Sequence, residues 1–155
     1  MRVWDTRKTT PGLRTLEKAA VRAGGGANHR GNLSEWVLLK DNHLALMPIA
    51  DAVGAARRMW PGRTVQVECD DRDQVRQALD ADADALLLDN MTPEEVSQVV
   101  AEVRSSHPRR PLLEVSGGLA RDRFAAYAAT GADMASVGAL THSAPVLDIG
   151  LDVRR

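Results

Sequence analysis

Short apolar runs alternate with longer amphipathic stretches along this chain. Arg2 to Asp5, Val37 to Leu39, Thr64 to Cys69, Ala85 to Leu88, Leu112 to Val115 and Met134 to Val137 have the length and content of strands. No Asn-Gly or Asp-Gly hairpin turn joins them, and the segments between are long enough for crossover helices. Val96, Val99, Val100 and Val103 fall at i, i+3, i+4 and i+7, one face of a helix. Thr92 as N-cap, Pro93 at the first helical position and Glu95 closing a capping box mark its start. Leu46, Ile49, Ala50, Val53 and Ala56 make a second stripe, stopped by Pro61-Gly62. Val75, Ala78 and Leu79 mark a third, and Phe124 with Ala128 a fourth, closed by Gly131. These stripes read as core packing. Repeated strand–helix units predict a parallel α/β architecture. The GxGxxG fingerprint of a doubly wound nucleotide-binding sheet does not follow the first strand. A complete (β/α)₈ barrel takes about 250 residues, so these 155 residues could supply only part of one, TIM-like, as a single domain over 1–155; an open doubly wound sheet is the alternative.

Polar residues collect where the apolar runs stop: Asp5-Thr6-Arg7-Lys8, Lys40-Asp41-Asn42, Glu68, Asp89-Asn90, Ser116-Gly117-Gly118 and Gly138. Parallel strands bring such ends to one rim, where barrel enzymes build their sites. Arg7, Lys8, Arg30 and Lys40, with His29 adjacent, would bind a multiply charged anion: phosphates, a pyrophosphate or a polycarboxylate. Any one of them alone reads equally as a solvated surface charge. Glu68 and Asp89 suit acid–base work, a magnesium ion or sugar hydroxyls, with structural ion pairing as the plainer alternative. Ser116-Gly117-Gly118 and Val137-Gly138-Ala139 suit a phosphate, since glycine admits close backbone approach; Gly-Gly is also a common turn. Gly24-Gly25-Gly26 reads as a flexible hinge before Asn28-His29-Arg30. His43 and His142 follow strand ends and are as readily structural as supporting, while His107 reads as solvated. No cluster has zinc-ligand spacing and no nucleophile elbow is present.

Composition narrows the partners. The hydrophobic fraction is 44%, the charged fraction 26% and the formal net charge −1, so no global field favours nucleic acid or an anionic membrane. The single cysteine, Cys69, cannot make an intramolecular disulfide. No segment reads as a signal peptide or membrane span, and a soluble, cytoplasmic protein is the expectation.

The rim residues also carry a resemblance. Asp5 to Arg14 (Asp-Thr-Arg-Lys-Thr-Thr-Pro-Gly-Leu-Arg), Gly-Gly-x-Asn-His-Arg ending at Arg30, and Leu-Lys-Asp-Asn-His ending at His43 resemble the quinolinate phosphoribosyltransferase family. Val67-Glu68, Leu87 to Met91, Glu114 to Gly118 and Ser136 to His142 continue it in order, over essentially the whole chain. The resemblance implies transfer of phosphoribosyl from phosphoribosyl pyrophosphate to quinolinate, with decarboxylation to nicotinate mononucleotide. By the same resemblance Arg7, His29, Arg30 and Lys40 would hold the two carboxylates, and Lys8 would face the pyrophosphate. Thr6 would join the substrate-binding set. Glu68 and Asp89 would contact ribose hydroxyls and Mg²⁺. Ser116, Gly117, Gly118, Val137, Gly138 and Ala139 would cradle the 5′-phosphate. Lys8, Lys40, Glu68 and Asp89 are the expected catalytic set. A homodimer or higher oligomer is implied, as are an amino-terminal domain and early barrel strands ahead of Asp5. Their absence predicts an open edge beside the Val3 strand and a chain that cannot turn over alone. Gln66 stands where the family often has Glu, Glu35 where Asp is usual, and Trp4 replaces a smaller residue. A related pyrophosphorylase acting on another acid, and a non-catalytic partner chain, are the competing readings.

Overall fold

Six strands, all parallel, form one sheet in the order β1-β6-β5-β4-β3-β2. They are β1 (Arg2–Trp4), β2 (Val37–Leu39), β3 (Val65–Cys69), β4 (Ala85–Asp89), β5 (Leu112–Ser116) and β6 (Met134–Ser136). The computed structural model describes residues 1–107 and 109–153. Helices α1 (Arg14–Ala23), α2 (Asp41–Leu44), α3 (Ile49–Met59), α4 (Arg72–Asp80), α5 (Pro93–Ser106), α6 (Phe124–Ala129) and α7 (Ala139–His142) occupy the crossovers and the end. No described helix is long and apolar enough to cross a membrane.

The last strand pairs the first, while β1 and β2 stand at the two ends of the order and do not pair. Arg2, Val3 and Trp4 of β1 lie beside Met134, Ala135 and Ser136 of β6. On its other side β1 is bridged by Ala27, whose N–H donates to the Val3 carbonyl at 2.9 Å, while Asp5 N–H donates back to the Ala27 carbonyl at 3.1 Å. β1 is an end strand of the sheet, as expected, but its edge beside Val3 is covered in part by the single Ala27 bridge, because the turn after α1 returns a single strand-like residue to it. The seam lies between this Ala27 segment and β2. Trp4, His29 and Trp36 fill it, with ring centroids 5.0 to 6.3 Å apart.

Alternation along the strands separates two environments. Val65, Val67, Cys69, Leu86, Leu88, Leu113, Val115 and Ala135 face outward and are buried against Ile49, Ala52, Val53 and Ala56 of α3, Val75 and Ala78 of α4, and Val96, Val99, Val100 and Val103 of α5. The opposite parity points into the barrel. Register places Leu38 beside Gln66, Glu68 beside Leu87, and Leu87 beside Glu114. This interior is polar: Gln66 and Glu114 are both 0% exposed.

The helical stripes need two corrections. Leu46 is exposed and precedes α3, which starts only after Pro48 because proline suits a helix entry, and Ala50 faces solvent. In α6 Tyr127, not Ala128, joins Phe124 at the core; its hydroxyl donates to the Met91 carbonyl at 2.9 Å. The glycine run is a stop, not a hinge. Gly25 takes φ +88°, its N–H donates to Arg22 and that of Gly26 to Val21, a Schellman end for α1. Gly26 then packs so closely that a Cβ would meet Val21 Cγ1 at 2.7 Å.

The α5 start is as the sequence predicts. Thr92 Oγ1 accepts from Glu95 N–H at 3.3 Å, and Glu95 Oε2 accepts from Thr92 N–H at 2.8 Å. The Thr92 backbone and hydroxyl bonds hold the Glu95 carboxyl below its usual range. A lowered folded-state pKa stabilises above the unfolded value, and that contribution is lost as pH falls through the folded one. Thr92→Ala is therefore expected to cost about 1 kcal/mol in urea denaturation at pH 7. The gap from the native chain should narrow in acid; a gap independent of pH would contradict the capping box.

Candidate active site

All six carboxyl-terminal strand ends open on one rim, and Thr6, Arg7, Lys8, His29, Arg30, Leu38, Lys40, Leu87, Glu114, Ser116 and Ser136 line a cavity of about 240 Å³ there. Side chains from β2, β4, β5 and β6 and from the turns after β1 and Ala27 could meet around one hollow only if the sheet curls into a barrel. A larger apolar cavity of about 610 Å³ lies alongside and shares Arg7, Arg30, Leu38 and Lys40 with it.

Arg7 and Lys8 extend from the turn after β1. Thr6 Oγ1 accepts the Lys8 N–H at 3.0 Å, and Thr141 of α7 donates its hydroxyl to the Lys8 carbonyl at 2.7 Å. Among the described residues neither cation has a carboxylate partner. Arg30 sits close to Arg7: burial and then the Arg7 charge lower its pKa, against an opposing pull from Glu114. Its guanidinium also donates to the Trp36 carbonyl at 3.1 Å. Arg7 and Arg30 line the same cavity, and two guanidinium forks there suit a carboxylate or phosphate anion.

His29 takes its place by other means than expected. Its Nδ1 accepts the Arg30 N–H at 2.8 Å, so the ring proton lies on Nε2 and donates to Glu114 Oε2 at 3.1 Å. Both ring nitrogens are thus used within the protein. The resemblance has His29 grip a carboxylate; in this geometry it lines the cavity while its ring nitrogens meet the Arg30 N–H and Glu114. Glu114, which strand-end reasoning passed over, is the hub of the barrel floor. It also accepts from Gln66 Nε2 at 2.7 Å. Burial pushes its carboxyl upward, but the bonds from His29, Gln66 and Ser136 outweigh that and leave it below its usual range. Polar residues at period 2 inside otherwise apolar strands, Gln66, Glu68 and Glu114, were the available signal.

Lys40 and Glu68 form an ion pair across the ends of β2 and β3. Burial raises the Glu68 pKa, Lys40 opposes, and the nearby Asp89 and Asp41 charges add to the rise. Asp89 stands in register with Ser116, and its Oδ2 accepts from Asn90 Nδ2 at 2.6 Å. Asn90 itself is left-handed at φ +55°, with its N–H on the Ser116 carbonyl at 3.0 Å. Gly117 and Gly118 follow at φ +96° and +53°. A Cβ on Gly138 would lie 3.6 Å from Thr6 Oγ1, so that loop borders the Arg7–Lys8 turn. Val137 does not fit the phosphate expectation: it is buried and its N–H already donates to the Trp4 carbonyl at 2.9 Å. His43 closes the cap of α2 through Nδ1 on the Lys40 N–H, and His142 Nδ1 lies 2.6 Å from the Ser143 hydroxyl. His107 is half-buried rather than solvated. Cys69 is buried, which pushes its thiol pKa up and removes it from chemistry at neutral pH.

No group of three or more His, Cys, Asp or Glu among the described residues is placed to hold a metal. Magnesium brought by a phosphorylated substrate needs only one or two carboxylates; Glu68 and Asp89 are carboxylates at the ends of β3 and β4.

Residues 1–152 match the family model described as quinolinate phosphoribosyl transferase, C-terminal domain. The chain is 46% identical to the nicotinate-nucleotide pyrophosphorylase [carboxylating] of Mycobacterium leprae over 98% of its own length and 54% of that protein. It is 39% identical to a probable nicotinate-nucleotide pyrophosphorylase [carboxylating] of Methanocaldococcus jannaschii, covering 56% of it. The solved nicotinate-nucleotide pyrophosphorylase from Ehrlichia chaffeensis superimposes with a TM-score of 0.91 at 40% identity, over 99% of this chain and 55% of that one. The chain thus spans about half the length of the relatives it matches. A family model matching residues 1–152 and a fold shared at this level settle the family: the chain belongs to the quinolinate phosphoribosyl transferases and corresponds to their C-terminal domain.

Proposed function

We propose that this chain supplies the catalytic rim for phosphoribosyl transfer from phosphoribosyl pyrophosphate to quinolinate, giving nicotinate mononucleotide, CO₂ and pyrophosphate. One observation carries the reading: Arg7, Lys8, Arg30 and Lys40 line one cavity, and Lys40 pairs there with Glu68, whose carboxyl feels the Asp89 charge. Arg7, Arg30 and Lys40 bind the two carboxylates and align the pyridine nitrogen with the anomeric carbon. Lys8 faces the departing pyrophosphate. Glu68 and Asp89 hold ribose hydroxyls and stabilise the positive charge that develops on the sugar as pyrophosphate leaves. Ser116, the left-handed Gly117 and Gly118, Gly138 and Ala139 form a backbone concavity for the 5′-phosphate. Mg²⁺, when bound with the pyrophosphate, neutralises part of its charge. Once the nitrogen is quaternary, the ring carbon keeps the electron pair of the bond broken as CO₂ departs and takes a proton from solvent, so no protein nucleophile is required. The names of the relatives favour this reaction and NAD biosynthesis as its setting. We place the protein in the cytoplasm and read its working form as a homodimer or larger homo-oligomer.

The test is a chimera in which residues 1–152 replace the matching segment of the Mycobacterium leprae relative. With quinolinate, phosphoribosyl pyrophosphate and Mg²⁺ it should release CO₂ and nicotinate mononucleotide in equal amounts. A folded chimera that neither binds quinolinate nor forms product would reject the assignment.

A further inference from the structure

Helix α1 is unusual for what it buries. Its one buried residue is a lysine, Lys18 at 8% exposed, while Leu16 is 68% exposed. Apolar burial is the ordinary reason for a helix to lie on a sheet, so something else holds this one. Arg14 and Lys18 lie at i and i+4, on one face. Arg14 donates to the Arg7 carbonyl at 2.9 Å and to the Gly31 carbonyl at 3.2 Å. Its Nε also reaches Thr9 Oγ1 at 3.1 Å. Lys18 pairs with the Asp5 carboxylate, which is 0% exposed, and donates to the His29 carbonyl at 2.8 Å. Asp5 in turn accepts the His29 N–H at 2.8 Å and the Asn28 side-chain amide. Each cation therefore bridges the same two loops, one ending β1 and carrying Arg7, the other following Ala27 and carrying Arg30.

We propose that Arg14 and Lys18 are positioning residues of the anion site, a two-cation staple that holds Arg7 and Arg30 abreast. Arg7 and Arg30 line one cavity and their like charges repel: burial and then the Arg7 charge lower the Arg30 pKa. Without restraint the loops would part until an anion drew them together, and the ligand would spend binding energy on ordering them. The staple places that restraint in the fold. Neither residue touches the substrate; both act through the backbone of residues that do. The consequence for ligand binding rests on the function proposed above, whereas the restraint itself does not.

Hydrogen exchange on the 155-residue chain tests the restraint with no ligand present. In Arg14→Ala, amides of residues 6–9 and 28–31 should exchange faster together, while those of β3, β4 and β5 stay unchanged. Loosening of one loop alone, or of neither, would overturn the staple. Lys18→Met leaves Asp5 buried and unpaired and risks unfolding. The paired variant Asp5→Asn/Lys18→Met removes both charges and should show the same two-loop signature. In a second arm the probes are phthalate, an aromatic ortho-dicarboxylate, and inorganic pyrophosphate, titrated by calorimetry. Arg14→Ala should weaken phthalate by on the order of 10- to 100-fold and pyrophosphate far less. Arg14→Lys, which keeps the charge without the fork, should recover only part of the loss. Full recovery would mean that charge alone mattered and would also overturn the staple. A native chain that ignores phthalate would count against the functional reading, and the exchange data would still decide the restraint.

Discussion

Glu68→Gln, made in the chimera, is expected to lower kcat/KM by about 10²- to 10³-fold without lowering the stability of the fold. Glu68 is 8% exposed at the rim, between the Lys40 ammonium and the Asp89 carboxylate. Its ionised form is the one that stabilises positive charge on the reacting sugar, and glutamine removes that charge while keeping the shape. Stability should move the other way. Burial raises the folded-state pKa of Glu68 above its unfolded value. A raised pKa favours the protonated form in the fold, so its contribution is complete below the unfolded pKa and is lost as pH rises through the folded one. At neutral pH ionised Glu68 is therefore a burden on the fold, and glutamine relieves it. Lys40, whose side chain is 44% exposed, recovers solvation when its partner goes. The pH profile gives a further check. Turnover of the native rim should climb with pH through a pKa above the ordinary carboxylate range, and the residual rate of the variant should be flat there. A variant that loses rate only in proportion to lost fold, or keeps its full rate, would refute this role.

That pairing of low stability with high function explains which parts of the molecule the sequence discloses. The outward strand faces and α5 were legible because apolar residues at period 2 and 3.6 have one explanation, burial, and Val65, Val67, Val96 and Val103 all find it. The rim was legible because charge placed at the ends of apolar strands is costly unless used. Lys40, Glu68 and the Arg7–Lys8 turn are brought together on that logic. Helix α1 was not legible, since it is held by Arg14 and Lys18 rather than by an apolar stripe, and periodicity is blind to a polar anchor. Glu114 and Gln66 escaped for a related reason. They sit within strands, where alternation with apolar residues suggests a solvent face, and only barrel closure turns that face into a sealed interior. Closure is a long-range fact. Pairing of Arg2 with Met134 joins residues at opposite ends of the chain, and no local pattern announces it. The same gap in local information hides the bonds of the His29 ring. That ring is committed to Arg30 N–H on one side and to Glu114, 85 residues away, on the other.

Gly117→Ala is expected to be among the most damaging single-methyl additions in the chain, and Gly118→Ala next to it a mild one. Both glycines have positive φ, +96° and +53°, so alanine at either meets the left-handed cost of about 1–2 kcal/mol. Surroundings separate them. A Cβ at Gly118 would find nothing within 4 Å, whereas one at Gly117 would lie 2.2 Å from Asn90 Oδ1 and 2.8 Å from the Asn90 backbone nitrogen. The side-chain atom could swing aside, but the nitrogen cannot. It is fixed by its bond to the Ser116 carbonyl at 3.0 Å and by the left-handed turn of Asn90 itself. Overpacking against fixed backbone adds about 1–3 kcal/mol, so Gly117→Ala should lose roughly 2–5 kcal/mol in all. The damage should also reach chemistry. Asn90 Nδ2 holds the Asp89 carboxylate, so pushing Asn90 away releases a rim group placed for the ribose. Urea denaturation of the two variants, with kcat/KM of the corresponding chimeras measured where each remains folded, separates these effects. Gly117→Ala should be slower per folded molecule as well as less stable, and Gly118→Ala should lose only the left-handed cost of about 1–2 kcal/mol. Equal losses at the two positions would show that the close approach of Gly117 to Asn90 does not govern this corner of the rim.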